Sequence, residues 1–149
     1  MDKGLAVFLM AVVGGLIALQ APINAGLGKA TGSFAAALVS FAIGTIFLAA
    51  IVVLSGKAGG VSEATNVNWY YLLGGLLGAA YVFSALVLVK EIGAGGVAAA
   101  TVTGQLTFSV LLDRLGVLGL EQTPLSATRL LGVALLLGGT YLVVRSHAG

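Results

Sequence analysis

In 149 residues the sequence has no cysteine, two prolines, Pro22 and Pro124, and one histidine, His147 in the tail. Without cysteine there is no disulfide, no thiolate metal site and no cysteine nucleophile, and the redox compartment stays open. Charge is equally scarce. Only 8% of residues are charged, five acids against seven lysines and arginines, so the net +2 reflects scattered bases and no nucleic-acid-binding patch. The acids, Asp2, Glu63, Glu91, Asp113 and Glu121, fall at the ends of the long apolar runs or between them. No nucleophile with a base and no metal cluster can form inside those runs, which argues against an intramembrane enzyme and leaves no metal or other cofactor to expect.

What is present is hydrocarbon. Hydrophobic residues make up 59% of the chain and the mean hydropathy is +1.12, the composition of an integral membrane protein. A bilayer core of roughly 30 Å takes about 20 helical residues. Gaps between charges then predict an all-α fold, a single domain 1–149 of five transmembrane helices over 4–28, 33–55, 69–89, 92–112 and 124–144. Trp69, Tyr70 and Tyr71 supply an interfacial belt at the start of the third span. Lys90-Glu91 separates the third span from the fourth, and Thr123 before Pro124 predicts an N-cap for the fifth. Lys3 followed by an apolar run has the look of a signal peptide, but the run is long, Asp2 sits in the basic region and no small-x-small cleavage site follows, so the mature chain is expected to keep all five helices.

Glycine is the second abundant feature, 23 copies, many inside the spans as Gly14-Gly15, Gly74-Gly75, Gly95-Gly96 and Gly138-Gly139. Most are expected to be close helix contacts. "GAGGVAAATVTGQ" lacks the spacing and the Lys-Ser/Thr of a phosphate loop.

The polar residues within the spans are few enough to name. Gln20 and Asn24 lie four apart on the first span with Pro22 between them. An unpaired carboxamide in lipid costs a few kcal/mol, so both should face other helices or a watery cavity, and Pro22 removes a backbone donor where the helix can bend open. Interhelical glue and a binding site are the two readings of this pair. Thr101, Gln105 and Ser109 form a similar row on the fourth span, where Thr101 and Thr103 are expected to bond their own backbone and Gln105 has no such outlet. Ser40 on the second span and Tyr81 on the third are candidates to complete a substrate-binding lining, with Thr45 and Ser84 behind them. Asp113, Arg114 and Arg129 are candidate gating or interface anchors; Arg129 is expected to snorkel or to pair with Asp113 or Glu121.

Five crossings place Lys3, Lys57, Arg114 and Arg129 on one side and Lys29, Lys90 and Arg145 on the other. The positive-inside rule has almost nothing to choose between them. Either one charge or a displaced loop settles the orientation, or the chain inserts both ways and forms an antiparallel pair.

"GLIALQAPINAGLGKATGSFAAALVSFAIGTIFL", "GGLLGAAYVF", "GQLTFSVLLDRLGVLG" and "RLLGVALLLGGTYLV", in this order across five spans, resemble the YdcZ-like five-helix family of the drug/metabolite transporter superfamily. The resemblance implies a multi-pass protein of the bacterial inner membrane, related to half of a ten-helix transporter, in a family with dual-topology, paired and fused forms. In the small multidrug-resistance relatives a glutamate of the first helix binds proton and cation. Here residues 4–28 contain no acid, which puts proton-coupled cation export in doubt.

The expectation is a secondary transporter that moves a small polar or amphipathic metabolite or drug by alternating access, as a dual-topology homodimer or with an oppositely oriented paralogous partner. Its partners would be the lipid bilayer and a small-molecule substrate. Inverting one copy brings its Gln20 to within about 2 Å of the depth of the other's Gln105. The alternative is a membrane scaffold or assembly subunit without transport activity, which needs only the glycine faces.

Overall fold

The computed structural model describes residues 2–147, with the side chain of the lone histidine, His147, outside the described part. Among the described residues every regular element is helical: α1 (Lys3–Thr31), α2 (Ser33–Leu54), the single turn α3 (Gly59–Ser62), α4 (Leu73–Leu115) and α5 (Ala127–His147), with 3₁₀ turns at Glu63–Asn66, Trp69–Leu72 and Val117–Gly119. Apart from α3, all are long and apolar enough to cross a membrane, and most of their large side chains are exposed. An apolar helix that hides almost none of its surface inside its own chain is built to be solvated by lipid. This is a multi-pass membrane protein.

At 43 residues α4 would extend about 65 Å if straight, twice the hydrocarbon thickness. It is two helices, 73–92 and 94–115, meeting at Gly93, whose φ of 71° and ψ of 169° belong to glycine's own territory. We call them α4a and α4b. Lys90 and Glu91, the charged pair that marks the division in the sequence, lie within three residues of it. Gly32 (φ 83°) makes the equivalent stop between α1 and α2, its N–H donating to the Gly28 carbonyl at 2.9 Å.

The fifth span starts later than its proline suggests. Residues 121–126 are non-helical, and Ser126, in place of Thr123, caps α5: its Oγ accepts from the Arg129 N–H at 3.2 Å and its carbonyl from the Leu130 N–H at 3.1 Å. The Thr123 N–H is already donated to the Asp113 carbonyl, 2.8 Å away.

The chain divides into two compact units, Gln20–Val87 and Met1–Leu19 with Leu88–Gly149. In the first, α2 and α4a run antiparallel in a register set by aromatics. Phe34 stacks on Phe83 with ring centroids 4.5 Å apart, and Phe41 covers Gly78, where an added Cβ would meet its ring at 3.6 Å. In the second, α4b packs on α5 through small residues. A Cβ on Gly95 would lie 3.6 Å from Val143, and one on Gly96 would lie 3.4 Å from Val144 and 3.0 Å from Ile92. Such close approach is the main cohesion available where lipid removes the hydrophobic drive.

Candidate functional site

In the unit Gln20–Val87 the buried residues of α1 are Ala21, Asn24, Ala25 and Gly28, a spacing of three and four that defines one helical face. α1 stays helical from Lys3 through Pro22 to Thr31. The proline therefore removes the donor to the Ala18 carbonyl without ending the helix. The face meets α2 and α4a at Gly28, where a Cβ would lie 3.7 Å from Ala36 Cβ and 3.8 Å from Leu86 Cδ1.

One turn back from Gly28 is Asn24, 5% exposed. One turn on from the fully buried Ala36 is Ser40, and on α4a the buried Val82, Ala85 and Leu86 share their seam with Tyr81. Ser40, Tyr81 and Gln20 are half-buried. The unit thus turns four of the expected lining residues toward the faces by which its helices pack. One feature separates Asn24 from the rest: its Nδ2 is buried with no hydrogen-bond partner. A buried amide normally finds one.

The other unit holds the row on α4b, and here the residues part company. Thr103, 5% exposed, faces α5: its Oγ1 is 2.6 Å from Thr140 Oγ1 and donates to the Leu136 carbonyl at 3.3 Å, while Thr140 Oγ1 reaches the Ala99 carbonyl at 3.1 Å. The expectation that Thr103 bonds its own backbone is corrected; it bonds another helix, and Thr107 is the residue that bonds back, to the Thr103 carbonyl at 2.7 Å. Sequence reading missed Thr140, although a single hydroxyl inside "LLLGGTYLVV" is the kind of signal that marks an interhelical bond. Beside this pair, Ala98, Ala99, Val102, Leu136, Gly139 and Val143 line an open groove of about 370 Å³.

Gln105 is two residues beyond Thr103, about 200° around the helix, and it is exposed. Ser109 is exposed with it and Thr101 is half-buried. This row faces away from the α4b–α5 seam.

At the end of α4b, Arg129 Nη1 donates to Asp113 Oδ2 at 2.9 Å, with about a third of each side chain exposed. Gln122 Nε2 donates to the Arg114 carbonyl at 3.0 Å. The Gln122 and Thr123 bonds occupy the Arg114 and Asp113 carbonyls, which a helix end leaves unpaired. Arg114 contributes its backbone here, and its side chain is exposed.

The sequence profile of the family described as "Putative inner membrane exporter, YdcZ" matches residues 5–142. No curated protein and no solved structure shows a significant match to the chain.

Proposed function

The chain belongs to the YdcZ family, and from that premise we propose that it is a secondary transporter of the bacterial inner membrane, moving a small polar or amphipathic metabolite or drug by alternating access between two inverted copies. The observation that carries this reading is Gln105. A carboxamide on the outer face of a lipid-spanning helix loses its hydrogen bonds to hydrocarbon, so the face it occupies belongs against another protein surface or a watery path. Thr101 and Ser109 extend the same row. A second copy in the opposite orientation supplies both requirements at once: an interface for the row and, by symmetry, a second gate. The near-equal division of basic residues supports the inverted arrangement, and an oppositely oriented paralogue would serve as well. Gln20, Asn24, Ser40 and Tyr81 are further candidates to contact the substrate along such a path. Asp113, Arg114 and Arg129 anchor the loop at one end of it.

The cysteine-free background makes the test direct. Two differently tagged copies, one carrying Gln20→Cys and the other Gln105→Cys, are co-expressed and treated with a short bis-maleimide; a mixed-tag dimer is expected, and its absence would remove the pairing. Reporters fused to the C-terminus should show both cytoplasmic and periplasmic populations, and one or two added lysines should tip every molecule one way. A single orientation that survives such changes would leave the heterodimer as the inverted form. A scaffold, the competing reading, should tolerate Gln20→Leu and Gln105→Leu, whereas a transporter should insert normally and lose flux.

A further inference from the structure

The buried Nδ2 of Asn24 is a hydrogen-bond donor without an acceptor, and its surroundings restrict what can supply one. On its own helix its buried neighbours are Ala21, Ala25 and Gly28, which offer only methyl groups and hydrogen. The adjoining layer is fixed by the Gly28 contact with Ala36 and Leu86: one turn deeper on α2 is Ser40, and one turn deeper on α4a is Val82. Ser40, Tyr81 beside Val82, and Gln20 one turn back on α1 are the polar side chains nearest that level, and Nδ2 makes no hydrogen bond to any of them. Nor does a charge balance an ion there. The five acids and seven bases of the chain lie at the ends of the helical spans or between them, so an anion or a cation at Asn24 would be desolvated without a counter-charge.

We propose that Asn24 is a specificity-determining residue: its Nδ2, sealed in this conformation, donates to the carbonyl oxygen of an uncharged amphipathic solute such as an amide when the α1 face parts from α2 in the transport cycle, with the small faces of the two helices accommodating the solute's apolar part. The assignment deepens the transport reading and relies on it for the solute's passage, while recognition at Asn24 can be measured without flux. A structural contact within the chain would already have its acceptor. Asn66 and Asn68, in the loop after α2, show the ordinary condition, donating to Glu63 Oε2 and to Tyr70 Oη, each at 3.1 Å.

Those two residues also make the test internally controlled, because Asn24, Asn66 and Asn68 are all the asparagines in the chain. Protein labelled with ¹⁵N at asparagine and held in lipid nanodiscs gives three side-chain amide pairs, assigned by Asn66→Ser and Asn68→Ser. It is titrated with 4-phenylbutyramide, 4-phenylbutyrate and 4-phenylbutylammonium, which share one apolar body. Only the amide should move the Asn24 protons, downfield and saturably, leaving the two loop residues in place. No movement with the amide, or equal movement with either ion, overturns the proposal. Asn24→Leu and the smaller Asn24→Ala should melt at or above the wild-type temperature and weaken binding of the amide about ten-fold or more. Variants that both melt lower identify Asn24 as glue and overturn it too. Amide binding at Asn24 in vesicles that pass no solute would sink the transport reading alone; flux with an unresponsive Asn24 would sink this assignment alone.

Discussion

The two units treat their buried polar side chains in opposite ways. Between α4b and α5, Thr103 and Thr140 share their two hydroxyl protons among each other and the Leu136 and Ala99 carbonyls, so that both hydroxyls buried in an apolar seam have partners and α5 is tied to its neighbour. In the unit Gln20–Val87, Asn24 is as deeply buried as Thr103 but its Nδ2 is unpaired. A satisfied network rigidifies; an unsatisfied donor costs stability and is retained where something other than the fold uses it. If Asn24 binds solute as proposed, the completeness of hydrogen bonding, and not burial, separates a helix contact from a binding residue in this protein.

The largest effect expected from breaking this contrast is on the satisfied side. Thr103→Val keeps the shape but removes the hydroxyl that ties α4b to Thr140 and the Leu136 carbonyl, leaving Thr140 the Ala99 carbonyl alone, and should cost about 1 to 2 kcal/mol in a reversible unfolding measurement. The double variant Thr103→Val, Thr140→Val removes both partners and should recover much of the loss. If the single and double variants are equally impaired, packing at Thr103 matters and its hydroxyl does not. Flux should follow stability in this series.

The glycines sharpen the same comparison at a smaller scale. Gly96→Ala places a methyl 3.0 Å from Ile92 Cβ, across the Gly93 junction, and 3.4 Å from Val144 of α5, and should destabilise this junction and the α4b–α5 seam by about 1 kcal/mol. Gly28→Ala meets Ala36 and Leu86 at ordinary contact distances of 3.7 and 3.8 Å, and a helical Ala is intrinsically preferred over Gly by about 0.5 to 1 kcal/mol. The melting temperature should fall for the first and hold or rise for the second. The opposite order would mean that the seam yields and the α1 face does not.

Much of this was legible in the sequence because charge is expensive in lipid. The limits of the gaps between charges fell near the ends of the long helices, and Lys90-Glu91 came within three residues of the turn at Gly93. The N-cap was misplaced because Thr123-Pro124 and Ser126 are both competent helix starts, and the choice is made by a tertiary contact, the Thr123 N–H bonding the Asp113 carbonyl. Periodicity grouped Gln20 with Asn24 and Thr101 with Gln105 and Ser109, but the period of a helix says which residues share a face and not where that face points. Here Asn24 points inward and Gln105 outward. Helices with little amphipathic contrast, all apolar and surrounded by lipid, leave that direction to packing.

The smallest expected effect concerns the end of α4b, where Arg129 and Asp113 pair at 2.9 Å with side chains 38% and 33% exposed. An ion pair that open to solvent is screened, and its net contribution is about 0.2 to 1 kcal/mol. The loop it closes is also held by two bonds that need no charge, Thr123 N–H to the Asp113 carbonyl and Gln122 Nε2 to the Arg114 carbonyl. Arg129→Gln should therefore lower the melting temperature by only a degree or two, and raising the salt concentration should erase the difference from wild type. Gln122→Ala removes a bond that salt cannot screen, so its deficit should persist at every ionic strength. A large, salt-independent loss in Arg129→Gln would instead show that the guanidinium works through something other than its pairing with Asp113. Its place in the proposed gate would then have to be measured by flux rather than by stability.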